Sequence, residues 1–155
     1  MRRATKIKKV NTPDYQYQNL LVGRFINYVM RQGKKSIAQK VVYKSFDIIK
    51  EKTKNNPLEL FEKAIKNISP SLEVKSRRIG GANYQVPQPV RADRKIQLAF
   101  RWIIKAAKTK KGKPMAAKLA EEFILASNNE GAAVKKKLDT HRMAEANRAF
   151  AHFSW

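Results

Sequence analysis

The stretch from Glu73 to Pro87, EVKSRRIGGANYQVP, decides how the rest of the chain is read. Two glycines separate two runs of alternating residues, the pattern of a two-stranded hairpin closed by a primed turn, which needs positive φ at its centre. With Gly80 and Gly81 in the turn, Ile79 faces Ala82, Arg78 faces Asn83, Arg77 faces Tyr84 and Lys75 faces Val86. Alternation then puts Lys75, Arg77, Tyr84 and Val86 on one face, and Val74, Ser76, Arg78 and Asn83 on the other. Neither face is apolar enough to lie fully on a core, and a lone hairpin is marginal in water. A partner from outside the protein core is therefore expected to hold it.

Helical periodicity surrounds this insert. Leu21, Val22, Phe25, Ile26, Val29 and Met30 recur at three- and four-residue spacing from Asn19 to Gln32, with Gly33 where a left-handed cap is wanted. A second helix is expected from about Ser36, with Ile37, Val41, Val42, Ile48 and Ile49 inward, ending at KTKNN. In NNPLELFEKAIKNISP, Asn56 caps, Pro57 suits the first helical position and Glu59 the third. Leu58, Phe61, Ala64, Ile65 and Ile68 form its stripe, and Pro70 stops it.

A fourth helix is expected from about Ala92, carrying Ile96, Ala99, Phe100, Ile103, Ile104 and Ala107, with Trp102 assigned by default to the core. A fifth opens at Pro114, buries Leu119, Phe123 and Ala126, and ends at Gly131; a sixth runs from Ala132 to about Phe150. The expected fold is mainly α, a six-helix bundle with an inserted, protruding two-stranded β-hairpin at 72–88. One domain is expected over residues 1–155.

Charge narrows the function. Lys and Arg number 34 against 12 Asp and Glu, a net charge of +22 on 155 residues of which 43% are hydrophobic. That combination describes a folded protein whose surface needs a polyanion, and nucleic acid is the commonest. A lipid surface fits poorly, because no apolar run approaches the ~20 residues of a spanning helix. Residues 1–12, MRRATKIKKVNT, carry five cations and no acid, either as a solvated terminus or as an arm that orders on nucleic acid.

The absence of cysteine excludes disulfides and thiolate metal sites, and His141 and His152 have no common ligand spacing, so neither metal nor cofactor is expected. Gly112-Lys113 lacks both the preceding glycine and the following hydroxyl of a phosphate loop. No nucleophile elbow or carboxylate–histidine constellation is present, so no enzymatic activity is expected. The doublet Glu121-Glu122 reads as an answer to a helix dipole and to Lys118, and His141 as a packing or hydrogen-bonding residue. The aromatics of AFAHFSW would be costly on a free tail and dock either on their own domain or on a partner.

On the hairpin, paired guanidinium groups beside a tyrosine suit phosphates and base faces, and Arg91, Arg94 and Lys95 continue the charge into the next helix. The competing readings are a solvated hairpin whose cations block edge pairing and a DNA-bending arm. The latter commonly ends in a wedge residue, and Gly80-Gly81 offers none.

EVKSRRIGGANYQVP, QLAFRWIIKAAK and AVKKKLDTHRMAEANRAFAHFSW, with GKKSIAQKVVY earlier, resemble in order the bacterial and organellar form of small-subunit ribosomal protein seven. The resemblance implies a structural constituent of the small subunit that binds the 3′ domain of 16S-type ribosomal RNA and nucleates assembly of the subunit head. It also implies a position near the subunit interface and the exit-site transfer RNA, contact with head and platform proteins, and repression of its own messenger in many bacteria. A ribosome in the cytoplasm, or in an organelle that encodes its own ribosomal proteins, is the implied location. By position, the implied RNA contacts are Arg2, Arg3, Lys6, Lys8 and Lys9 of the arm, Lys34 and Lys35, Lys75, Arg77, Arg78 and Tyr84 of the hairpin, and Arg91, Arg94 and Arg101. Gly80, Gly81, Arg142, Arg148, Phe153 and Trp155 match the region facing the exit site and a platform protein.

Overall fold

The structure, a computed structural model, describes residues 12–153. Arg2, Arg3, Lys6, Lys8, Lys9 and Trp155 lie outside the described residues. The chain divides into two compact units, Met1–Lys40 and Val41–Trp155.

In the first unit the buried Asp14 accepts hydrogen bonds at Oδ2 from the amides of Gln16 and Tyr17, 3.1 and 3.2 Å away. This turn leads to Asn19, whose Oδ1 accepts from Leu21 N at 2.8 Å and caps α1 (Leu20–Val29). Gly23 lets the entering segment lie against this helix, since a Cβ there would sit 2.7 Å from the Thr12 carbonyl oxygen. The helix ends sooner than expected, with the Met30 amide bonded to the Ile26 carbonyl. Gln32 and Gly33 then take consecutive positive φ values of 50° and 72°. Lys34 and Lys35 follow, both exposed.

α2 (Lys35–Thr53) contributes its first residues to this unit and the rest to the second. Its buried positions are Ala38, Val42, Ser45, Phe46 and Ile49. The expected inner face was rotated: Ile37 is 56% exposed, and Phe46 is the dominant buried side chain. The remaining helices are α3 (Pro57–Ile68), α4 (Ala92–Thr109), α5 (Met115–Ser127), α6 (Ala132–Ala146) and a short 3-10 turn, η1 (Arg148–Phe153).

The second unit is organised by four phenylalanines, one from each of α2 to α5, all fully buried. Phe61 meets Phe46 at 5.4 Å, Phe123 at 5.3 Å and Phe100 at 6.5 Å between ring centroids. Edge and offset contacts of this kind add to the area that each ring buries. On α3 the cap is the expected one: Asn56 Oδ1 accepts from Leu58 N at 3.1 Å, and Pro57 opens the helix. The stripe differs by one residue, since Leu60 is buried and Leu58 only half-buried. Asn67 donates from Nδ2 to the Ala126 and Ser127 carbonyls, 2.9 and 3.1 Å away, and so ties α3 to the end of α5.

Two assignments near α6 change. Gly131, at φ 95°, is the N-cap of α6 and not the end of α5. Glu122 is fully buried on α5, and its Oε1 accepts from Ala133 N at 2.9 Å. The carboxylate therefore supplies the side-chain cap that Gly131 cannot, for a helix other than its own. Glu122 Oε2 lies 3.0 Å from Lys110 Nζ, an ion pair without hydrogen-bond geometry.

The hairpin is formed by β1 (Leu72–Ile79) and β2 (Ala82–Pro89), antiparallel, with the expected register from Ile79↔Ala82 to Lys75↔Val86. Gly80 and Gly81 sit at φ 56° and 90°, as a primed turn requires. Its support is not the expected one. Val86 and Pro87 are buried at its base, and the strands pack on α6 and η1. The protein supplies this support from its own C-terminal segment.

Candidate nucleic-acid interface

Lys75 and Arg77 project from the β1 face that also carries Glu73, because residues two apart share a face. Arg91 and Arg94 come from the opening of α4, directly after β2. The four cations line one concavity at the ribbon's base, together with Glu73 and Gln88. Glu73 is only 14% exposed and lies 3.3 Å from Arg94 Nε and 3.5 Å from Lys75 Nζ. One acid held among four cations fixes two of them while leaving the groove cationic. Planar guanidinium groups in such a groove match phosphate oxygens bidentately.

Arg78 is exposed on the opposite face of the ribbon. Arg101 is exposed seven residues after Arg94, hence on the same side of α4. Lys105 and Lys108 extend that side, so the cations at 91, 94, 101, 105 and 108 fall within an arc of about 100° and a length of about 25 Å. Sequence reasoning missed Lys105 and Lys108. Their spacing from Arg101 was the available signal. Trp102 is half-buried beside this stripe, around a shallow depression with Lys105 and Lys136, and is a rim residue instead of a core one.

Tyr84 does not present a free ring. Its centroid lies 5.3 Å from Phe150 and 5.4 Å from Phe153. Arg77, which faces Tyr84 across the ribbon, donates from Nη1 to the Phe153 carbonyl at 3.2 Å. The terminal aromatics at 150 and 153 thus dock on their own chain. Arg142 and Arg148 are exposed, as are the tip glycines Gly80 and Gly81. Lys34 and Lys35 belong to the first unit.

The other titratable groups serve the frame. His141 Nε2 accepts the Ser71 amide at 3.1 Å, just before β1, so the ring is held as the tautomer with a bare Nε2. Burial, and then the Lys137 charge, push its pKa below the usual imidazole value. Glu121 pairs with Lys113, whose ammonium holds that carboxyl below the ordinary range. The acidic doublet answers Lys113 and Lys110, with Glu122 capping α6; Lys118 is not the partner shown. Among the described residues no three His, Asp or Glu side chains converge on a metal-sized site, and no helix is long and apolar enough to cross a membrane.

These features define a class: a mainly helical, strongly cationic protein whose charges gather where an inserted ribbon joins a helix. Within that class the sequence is specific. The family model for ribosomal protein S7p/S5e matches residues 1–148, and the chain belongs to that family. It is 59% identical over 155 residues to the small ribosomal subunit protein uS7 of Thermotoga maritima, covering all of both chains. It is 54% identical over 154 residues to that of Desulfatibacillum aliphaticivorans, covering 99% of each. The chain is accordingly a small-subunit ribosomal protein and not an enzyme.

Proposed function

We propose that this protein binds the 3′ domain of 16S-type ribosomal RNA directly and nucleates assembly of the subunit head. In this reading it works on the ribosome as a single RNA-binding module, near the subunit interface and the exit-site transfer RNA. It contacts head and platform proteins there and represses its own messenger. The observation that carries the proposal is the cationic groove of Lys75, Arg77, Arg91 and Arg94, continued along α4. Its geometry suits a phosphate backbone, and the +22 charge supplies the long-range attraction.

The arm residues Arg2, Arg3, Lys6, Lys8 and Lys9, with Lys34, Lys35, Arg78 and Arg101, add further phosphate contacts. Gly80, Gly81, Arg142, Arg148 and Trp155 face the exit site. Tyr84 and Phe153 act through the ribbon instead of by stacking on a base, since each ring is already engaged.

Chemical footprinting of the purified protein on small-subunit ribosomal RNA tests the proposal. Protection confined to the 3′ domain, resistant to excess duplex DNA, is expected. Equal binding to DNA, or protection scattered over all domains, would replace it with a non-specific polyanion binder.

A further inference from the structure

We propose that the C-terminal turn η1 clasps the ribbon and aims Arg77 into the groove, which makes Phe150 and Phe153 positioning residues for RNA binding. The inference rests on the functional reading above. A two-stranded ribbon does not hold itself in water, and this one is buried only at its base, through Val86 and Pro87. Above that base, Arg77 and Tyr84, which face each other across the ribbon, meet η1.

In a 3-10 helix, residues three apart eclipse one another. Phe150 and Phe153 therefore point the same way, and both rings reach Tyr84. The turn is fixed locally: Phe150 N donates to the Asn147 carbonyl at 3.0 Å, and His152 Nδ1 lies 2.9 Å from the Ala149 carbonyl. None of its residues is buried, so η1 has no core of its own and depends on the ribbon in turn.

Arg77 joins the clasp to the groove. It bonds the Phe153 carbonyl and also lines the concavity with Lys75, Arg91 and Arg94. A guanidinium carries its five donors in one rigid plane, so anchoring one of them orients the rest. The clasp thus sets the direction of the fork without itself touching RNA.

The test uses full-length protein carrying Phe150→Ala with Phe153→Ala, and a rescue variant with Tyr at both positions. Amides of residues 75–86 in the free Ala variant should lose about tenfold in exchange protection, the worth of two lost aromatic contacts, while α3 to α5 stay unchanged. Affinity for a transcript of the 3′ domain of 16S-type RNA should fall about tenfold, and the Tyr variant should recover both properties. In an Arg77→Ala background, the same Ala pair should cost less than about twofold in affinity.

Unchanged ribbon exchange would overturn the clasp. An affinity loss undiminished in the Arg77→Ala background would mean the phenylalanines contact RNA themselves, and would overturn the aiming role alone. Wild-type protein that fails to bind the transcript would overturn the functional reading and the aiming role together.

Discussion

Lys110 offers a severe test of how charge is used in this protein. In KTKKGKP, Lys110 and Lys111 are neighbouring cations of equal formal value, but only Lys110 reaches the buried Glu122. Replacing Lys110 with Met keeps the stem and removes the ammonium, leaving Glu122 Oε2 without the charge at 3.0 Å. Breaking a fully buried ion pair costs about 3–5 kcal/mol. Lys110 is 26% exposed, so water can reach that end of the pair, and we expect about 2 kcal/mol. Glu122→Ala should cost more, about 3–4 kcal/mol, because it also orphans Ala133 N–H at the start of α6 and leaves a void. Lys111→Met, an exposed site, should stay within about 0.5 kcal/mol. Urea unfolding checks all three, and the two lysine variants change the net charge equally. For a chain of this size, the Lys110 effect corresponds to about 4–8 °C in Tm. Equal stability of Lys110→Met and Lys111→Met would refute the assigned structural role of the Lys110–Glu122 pair.

Three further outcomes are expected. Affinity for the 3′-domain RNA should fall with a log–log salt slope of roughly −6 to −7, if about eight phosphates are neutralised; a flat dependence in filter binding would show that the +22 charge is not used. Gly131→Ala should cost at least about 2 kcal/mol by urea unfolding, because φ is 95° and the added Cβ would lie 2.9 Å from Glu122 Oε1. The folded state lowers the pKa of His141, so its contribution is complete above the usual imidazole value of 6.5 and is lost as pH falls through that value toward the folded one. His141→Gln should therefore flatten the stability-against-pH curve in the mildly acidic range, and an unchanged curve would remove His141 from that account.

What the sequence made legible was local. Asn56 and Pro57 announce a helix start because the cap is satisfied within three residues, and Gly80-Gly81 fixes a register because a primed turn leaves little choice. What it hid depended on partners far along the chain. On α2, apolar residues occur at 37, 41, 42, 46, 48 and 49, enough for two overlapping stripes, and periodicity cannot choose between them. Phe46 decides the choice by meeting Phe61 and Phe123, which lie on other helices. Glu122 is the same problem in polar form: nothing near it in sequence says that an amide eleven residues later needs an acceptor.

The site divides along the same line. Lys75, Arg77, Arg91 and Arg94 could be grouped from sequence because one hairpin carries the chain directly from the first pair to the second. The ring contacts of Tyr84 could not be read from the sequence, because they come from residues 66 and 69 positions away. A tyrosine between arginines has the composition of a stacking site whether its face is open or covered. Geometry alone separates the two cases, and here both terminal phenylalanines occupy the ring's surroundings. The ribbon's cationic face therefore need not wait for RNA to acquire its shape. In the proposed RNA complex, with η1 already seated, binding would lose less conformational entropy in ordering Arg77 than a free hairpin would.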